Sequence, residues 1–240
     1  YARRYDQAVG GGKGVFKQAD REESLIHLMR VNLLKRMESS IHSFAMTATK
    51  LANQVEHLLA KIDAHESDDI DALNIEDLHD FELESTEFEP LMVGNKTRVL
   101  IQDMDLIRFR QELEADRVFL QHIAETAREV VAERDAKLAL LKETIKRKVA
   151  NPLNPGNKKI IVFTAFADTA QYLYANLATW AESQHGIHSA LVTGGGTNKT
   201  TIPGLGSDLN NILTTFSPVS KERDKVDPSA TTELDLLIAT

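Results

Sequence analysis

Residues 151–157, Asn-Pro-Leu-Asn-Pro-Gly-Asn, separate two regions whose apolar residues follow different periods. Two prolines and a glycine end any helix here, because proline lacks a backbone N–H and clashes with the preceding turn. Before the break, apolar residues recur every three or four positions, as in helices; after it, short β-branched runs alternate with helical stretches. We therefore predict a boundary between a helical region, 21–150, and an α/β domain, 151–240.

The helical region begins with an apolar stripe that no Pro or Gly interrupts between residues 21 and 63. Its members are Leu25, Met29, Leu33, Met37, Ile41, Phe44, Ala48, Leu51, Val55, Leu58 and Ile62. The pattern predicts one continuous helix, with Lys35 and Arg36 as solvated charges beside its apolar face. A second helical period over 104–149, restarting at a capping Asp135, predicts an antiparallel helical partner.

Two segments lack such a period. Residues 1–20, with the Gly10–Gly14 cluster, are predicted to be a flexible connector. Residues 64–98 are predicted to be an acidic loop, since residues 65–90 hold eleven Asp and Glu and no Lys or Arg. Subtracting these eleven charges from the net charge of −8 leaves +3, so the acidic average does not exclude a nucleic-acid partner.

The composition restricts other classes. The absence of cysteine excludes disulfides and thiolate metal sites, and it fits a cytoplasmic location. No apolar run approaches the ~20 residues that span a bilayer, so no membrane partner is expected. Because the sequence does not begin with Met, we expect it to be a piece of a longer protein.

Beyond residue 157 the order of elements is β-α-β-α-β, which with right-handed crossovers predicts a parallel three-layer sheet. The strands are expected at 159–163, 187–193 and 234–239, and the first is expected to be buried on both faces. Helix boundaries are predicted at Asp168 and Ser207, as amino-terminal caps, and at Gly186, as a carboxyl-terminal stop. The sheet that these strands form is expected to be incomplete.

Ligands of such sheets bind at the carboxyl ends of the strands. Those ends carry Thr164-Ala165-Phe166, Thr193 with the glycines 194–196, and Thr240. Hydroxyls and glycine amides suit phosphate oxygens, although the glycines are also compatible with a simple turn. Lys199 does not complete a Walker A loop, because Asn198 stands where glycine is required. Neither catalytic nor metal-ligating residues are predicted, since no HExxH or GxSxG motif occurs.

Several stretches, in the same order, resemble superfamily 2 helicases of the bacterial Swi/Snf type. Residues 158–170 resemble motif IV, 234–240 resemble the opening of motif V, and 193–195 with 212–221 are similar to the loop and helix between them. Residues 33–40 resemble a helical signature upstream of the second lobe, and 135–141 resemble the helix that leads into it.

The resemblance implies an incomplete C-terminal RecA-like lobe, a P-loop NTPase-like α/β/α domain, preceded by helices. It implies a part of an ATP-dependent motor that acts on nucleic acid, with double-stranded DNA expected. The nucleic-acid contacts that it implies are Thr164, Phe166, Thr193, Gly194, Gly195 and Thr240, to which Lys221 and Arg223 are added as cationic phosphate contacts.

Other motifs of the family are missing from the sequence: the Walker A lysine, the acidic motif of the first lobe, and the arginine of motif VI. Phosphoryl transfer needs these groups together with Mg²⁺. We therefore expect ATP and Mg²⁺ to belong to the parent protein, with its first RecA-like lobe as partner, and none bound to this chain.

Two other functions fit the pattern. One is a non-catalytic helical interaction module joined to a flavodoxin-like ligand-binding domain. The other is a small-molecule transferase, which predicts no affinity for nucleic acid.

Overall fold

A computed structural model describes residues 18–65, 72–74, 98–100, 105–194 and 198–240. The chain forms two compact units. The helical unit comprises residues 1–38 and 44–129, and the α/β unit comprises residues 39–43 and 130–240. Among the described helices, none is both long and apolar enough to cross a membrane. The predicted connector lies outside the described residues, except for its last three positions, which are helical.

The predicted continuous helix is in fact two helices, α1 (Gln18–Ser39) and α2 (Ile41–His65). The chain leaves helical geometry at Ser40. The Ser40 hydroxyl accepts from the backbone N–H of Ser43 at 3.4 Å, which is the bond of an amino-terminal cap. The prediction was wrong here because the three- and four-residue spacing of the apolar side chains continues across Ser40. The spacing therefore gives no sign of a cap that interrupts the helical backbone.

Helix α3 (Leu106–Arg128) is the antiparallel partner of α2, as predicted. Leu58, Leu59 and Ile62 of α2 form a buried cluster with Leu113 of α3. Three polar contacts fix the direction, because the partner number falls as the α3 number rises: Arg110 with Asp63 (2.8 Å), Gln121 with Glu56 (2.7 Å) and Arg128 with Thr49 (2.6 Å).

Helix α1 does not follow the predicted distribution of polar and apolar side chains. Arg36 is buried, with 7% of its surface exposed, whereas the prediction made it a solvated charge; Lys35 is exposed as predicted. Asn32 is buried as well, while Met29 and Met37 of the apolar stripe are exposed. The period of the stripe identified the helix but not the face that it buries.

Strands β1 (Ala72–Asn74) and β2 (Arg98–Leu100) pair antiparallel at either end of the acidic segment. The predicted loop, 64–98, therefore contains regular structure: α2 continues to His65, and Ala72–Asn74 form a strand. Between the two strands, the acidic loop lies outside the described residues.

The α/β unit contains the mixed α/β order that the sequence predicts. A 3₁₀ turn (Ala132–Arg134) precedes the following elements, in chain order: α4 (Ala136–Ala150), β3 (Ile160–Phe163), α5 (Ala167–His185), β4 (His188–Val192), β5 (Lys199–Thr200), α6 (Leu209–Phe216), α7 (Arg223–Val226) and β6 (Leu234–Ala239). The sheet order is β3-β6-β4-β5. The first three strands are parallel, and β5, which the sequence did not predict, is antiparallel to β4.

Helix α4 packs against this sheet. Its Leu138 and Ile145 are buried in the same cluster as Leu177 of α5, Leu191 of β4 and Ile238 of β6. The structure accordingly divides the chain between residues 129 and 130, earlier than the predicted boundary at the proline-rich break.

Strand β3 is an edge strand, and the prediction that both of its faces are buried was wrong. Ile161 and Phe163 are 49% and 74% exposed. On the same face of the sheet, Ile212 and Phe216 of α6 pack against residues of β4 and β6. The cluster that they form contains no residue of β3. A continuous apolar run predicts a strand and leaves its position in the sheet undetermined.

Two helix boundaries were predicted correctly. The Asp135 side chain accepts from the N–H groups of Lys137 (2.9 Å) and Leu138 (3.0 Å) at the start of α4. Gly186 ends α5 in the left-handed conformation, with φ of 61°. Both residues act on their own sequence neighbours, which makes them predictable from sequence.

Two predicted caps lie one or two residues away from the observed caps. Helix α5 has Phe166 at its cap position, so Asp168 falls within the first turn. Helix α6 is capped by Asp208 in place of Ser207, because the Asp208 carboxylate accepts from Asn211 N–H at 3.0 Å.

Candidate nucleic-acid interface

Three parallel strands end side by side at the carboxyl edge of the sheet. The Thr164 N–H donates to the Ala239 carbonyl at 3.0 Å, and the Thr240 N–H donates to the Val192 carbonyl at 3.2 Å. The hydrogen-bond ladder thus continues one residue past β3 and one residue past β6. The structure brings together Thr164, Thr193, Gly194 and Thr240, which we call the strand-end site.

Within this site, Gly194 and Thr240 are in direct contact. The Gly194 N–H donates to Thr240 Oγ1 at 3.4 Å, and Thr240 is exposed. The hydroxyl therefore accepts from the glycine and keeps its own proton for another acceptor. The Gly194 N–H, which the sequence predicted as a phosphate contact, donates within the protein and orients the Thr240 hydroxyl.

Gly194 lies in a turn after β4, and the next described element is the antiparallel strand β5. Asn198 bonds to residues on both sides of this region, because its Oδ1 accepts from the Thr193 N–H at 3.3 Å and its Nδ2 donates to the Ser207 carbonyl at 3.1 Å. Thr193 is buried. Gly195, also predicted as a contact, lies outside the described residues.

Phe166, which the resemblance implied as a nucleic-acid contact, is buried. Its side chain is only 7% exposed, and its N–H donates to Thr164 Oγ1 at 3.4 Å. A buried ring cannot stack on a base or cover a phosphate. Phe166 therefore supports the strand-end site from the protein interior.

Arg223 and Lys221 lie away from the strand-end site. The Arg223 guanidinium donates to the Thr232 carbonyl at 2.7 Å and lies 3.8 Å from the Glu233 carboxylate. Glu233 immediately precedes β6, so these groups mark the amino edge of the sheet, the opposite edge from Thr240. Arg223 is 8% exposed, which gives it a structural role that the sequence did not suggest.

Lys221 is exposed in the same turn, two residues before Arg223. A second cation, Lys159, forms ion pairs at this amino edge. Its ammonium group lies 2.6 Å from Glu233 and 3.2 Å from Asp235. The charges of the amino edge are thus largely neutralised by one another.

Lys199 is the exposed cation that the fold places near the strand-end site. It begins β5 and pairs with Leu191, next to the carboxyl end of β4. The sequence contains a lysine shortly after the glycines, which is typical of a phosphate contact. Because Asn198 excludes a Walker A loop, the sequence alone assigned no role to Lys199. A hairpin that returns beside β4 gives it a different use, as a surface charge next to the strand ends.

Four hydroxyl groups that belong to the α/β unit form a further feature, which we call the hydroxyl cluster: Ser39, Ser43, Thr164 and Thr169. The Ser43 and Thr169 oxygens are 2.8 Å apart, Ser39 Oγ donates to Thr169 Oγ1 at 3.2 Å, and Ser39 and Thr164 are 3.4 Å apart. Sequence reasoning missed it. The available signal was a pair of adjacent serines within an apolar helical stripe.

Beside this cluster, Tyr172 links three segments of the α/β unit. Its hydroxyl donates to Asp135 Oδ2 at 2.9 Å, and its ring stacks on His42 with centroids 4.7 Å apart. Burial, followed by the hydrogen bond to the Asp135 carboxylate, raises the pKa of Tyr172 well above its usual range. The phenol therefore remains protonated at physiological pH.

No three His, Asp or Glu side chains within the described residues are arranged to hold a metal ion.

Comparison with protein-family models, curated proteins and solved structures finds no match for this chain. Among the described residues, the strand-end site offers neutral hydrogen-bond donors, with the exposed cation Lys199 next to them. Such a set can bind an anionic backbone.

Proposed function

We propose that the chain is part of an ATP-dependent DNA translocase or helicase of the superfamily 2, Swi/Snf type. In this proposal the α/β unit is part of the second RecA-like motor lobe, and its carboxyl edge contacts the phosphate backbone of double-stranded DNA. The described fold, a mostly parallel open α/β sheet with many helices, is compatible with such a lobe.

One observation carries the proposal: backbone hydrogen bonds hold the strand-end residues Thr164 and Thr240 directly beside the neighbouring strand ends. The Thr164 N–H bonds to Ala239, and Thr240 bonds to both Val192 and Gly194. Neutral donors held by the backbone can bind phosphate oxygens without reading base sequence. This is what a motor that moves along DNA of any sequence requires.

The residues of this chain do not fit an ATP site. The sequence has no GxxxxGK[ST] loop, and no described cluster could hold Mg²⁺. In the proposed parent motor, ATP and Mg²⁺ are bound by the first RecA-like lobe. We assign no step of phosphoryl transfer to this chain, and metal-dependent ATP hydrolysis by the purified 240 residues would contradict that assignment.

The strand order weighs against a flavodoxin-like domain. In the flavodoxin order the first strand lies between the second and the third. Here the third parallel strand, β6, lies between β3 and β4. A helical interaction module remains compatible with the helical unit, but this sheet does not favour its flavodoxin-like partner.

Binding of a fluorescent DNA duplex, measured by anisotropy, tests the proposal. We expect Thr164→Val and Thr240→Val each to weaken binding about fivefold, as expected for the loss of one hydrogen bond worth ~1 kcal/mol. Thr144→Val is the matched control, because Thr144 is exposed on α4 and, within the described part of the chain, its hydroxyl bonds only to Leu140 of its own helix.

Equal affinities for the control and both edge variants would contradict this placement of the site. A transferase with no nucleic-acid function predicts that none of the four proteins binds the duplex.

A further inference from the structure

The helix break at Ser40 belongs, by its contacts, to the α/β unit. Residues 39–43 cluster with that unit, whereas α1 up to Glu38 and α2 from Phe44 belong to the helical unit. Ser40 and Ser43 are both buried, and the Ser40 cap starts α2 at this point. A five-residue segment is therefore held by the sheet domain although the chain on both sides of it belongs elsewhere.

The hydroxyl cluster is what holds this segment. Ser43 is fully buried, and Thr169 is nearly so. Buried hydroxyls cost free energy unless they are paired, and these two pair with each other at 2.8 Å. Alanine in place of Ser43 and valine in place of Thr169 would fill the same space without needing a hydrogen-bond partner. The two hydroxyls therefore favour the one position of residues 39–43 against α5 in which they pair.

The cluster also reaches the strand-end site. Ser39 donates its proton to Thr169, so at the Ser39–Thr164 contact the proton must come from Thr164. Thr164 Oγ1 accepts in addition from the Phe166 N–H. Ser39 and Phe166 thus set the orientation of the Thr164 hydroxyl in the free protein. Its single proton points at Ser39, so in the proposed function this hydroxyl must leave the 3.4 Å contact with Ser39 before it donates to a phosphate oxygen.

We propose that Ser39 and Ser43 are positioning residues for the strand-end site. Acting through Thr169 and Thr164, they fix the carboxyl end of β3 and couple phosphate binding there to the helix break at Ser40. This inference rests on the proposed function for its ligand, but the contacts it invokes exist in the free protein.

The test is a double-mutant cycle on duplex affinity. Ser39→Ala strengthens duplex binding about threefold to fivefold in the wild-type background, because it frees the Thr164 proton for phosphate, and it has no effect in Thr164→Val, which lacks that hydroxyl. Ser39→Thr keeps the acceptor oxygen and binds like the wild type. The dependence of affinity on salt stays the same throughout, since no charge is removed.

Ser183→Ala is the matched control, because Ser183 is exposed on α5 and its hydroxyl donates to the Trp180 carbonyl of the same helix. A merely structural role for Ser39 predicts a lower melting temperature with unchanged affinity of the folded protein. That result would overturn the proposal, as would effects of Ser39→Ala and Thr164→Val that add in full.

Hydrogen exchange in the free protein separates this inference from the proposed function. Ser39→Ala should raise amide exchange in residues 164–170, and Thr169→Val should raise it in residues 39–43; Ser183→Ala should change neither. If the wild type binds no duplex, the proposed function fails, and reciprocal exchange changes still support the positioning contacts. Unchanged exchange in both segments overturns them.

Discussion

The Tyr172 hydroxyl donates to Asp135 Oδ2 at 2.9 Å, while Oδ1 of the same carboxylate accepts from two N–H groups at the start of α4. One aspartate therefore caps a helix and anchors α5 to it. Thr164 lies just before α5, and Thr169 lies in its first turn. The Tyr172–Asp135 contact, which holds α5 in place, therefore contributes to the rigidity of the strand-end site.

Tyr172→Phe should lower the free energy of unfolding by about 1 kcal/mol at pH 7, the usual contribution of one hydrogen bond. Chemical denaturation monitored by circular dichroism measures it. Asp135→Ala should cost more, about 2 kcal/mol, because it also removes the helix cap. Equal losses in the two variants would show that the cap contributes nothing.

The raised pKa of Tyr172 also predicts a dependence on alkaline pH. In the unfolded chain this phenol has the ordinary tyrosine pKa of about 10, whereas in the folded chain the raised pKa keeps it protonated. The stabilisation is therefore fully present below pH 10 and is lost as the pH rises above it. Between pH 8 and 11, wild-type stability should fall more steeply than that of Tyr172→Phe; parallel curves would contradict the assignment.

Arg223→Ala should destabilise the α/β unit by about 2 kcal/mol, because it removes a buried charged donor and leaves the Thr232 carbonyl without this partner. Duplex affinity of the folded variant should not change. Lys225→Ala is the control: Lys225 is exposed in the same short helix and pairs with the exposed Glu222, so its loss should cost less than about 0.5 kcal/mol. A loss of affinity in Arg223→Ala at full stability would restore the phosphate role that the sequence suggested.

Two glycines should respond differently to alanine. Gly186 has φ of 61°, and no atom lies within 4 Å of an added Cβ, so Gly186→Ala should cost about 1 kcal/mol of backbone strain alone. Gly194 also has open space around it and no positive φ, so Gly194→Ala should change stability by less than about 0.5 kcal/mol. Thermal unfolding of both variants checks this, and equal shifts would be inconsistent with it.

The features that the sequence predicted well are local or set by strand order. Asp135 and Gly186 act on adjacent backbone groups, and the last strand was predicted with its observed bounds, Leu234–Ala239. The adjacency of Thr164 and Thr240 followed from parallel strands whose carboxyl ends meet at one edge.

The features that the sequence did not predict depend on distant contacts. The exposure of Phe163 follows from the edge position of β3, and the burial of Arg223 follows from the Thr232 carbonyl. The break at Ser40 is stabilised by hydroxyls more than a hundred residues away, as in the Ser43–Thr169 pair with its separation of 126. No periodicity in one segment reports such partners.

Two exposed lysines at opposite edges of the sheet offer a direct comparison. Lys199→Ala should reduce the salt slope of duplex binding by about one, because a neutralised phosphate releases about one counterion. Lys221→Ala should leave the slope unchanged, since Lys221 lies in the turn next to Arg223. The reverse pattern would place the DNA at the amino edge.

The central claim, that the carboxyl edge of this sheet binds a phosphate backbone, is tested most directly by the salt dependence of duplex binding by the wild-type chain. Plotted as log Kd against log salt concentration, anisotropy titrations should give a rising line with a slope of about one or more. Thr164→Val should give a parallel line displaced to weaker binding. A flat wild-type line, or no binding at low salt, would contradict the claim.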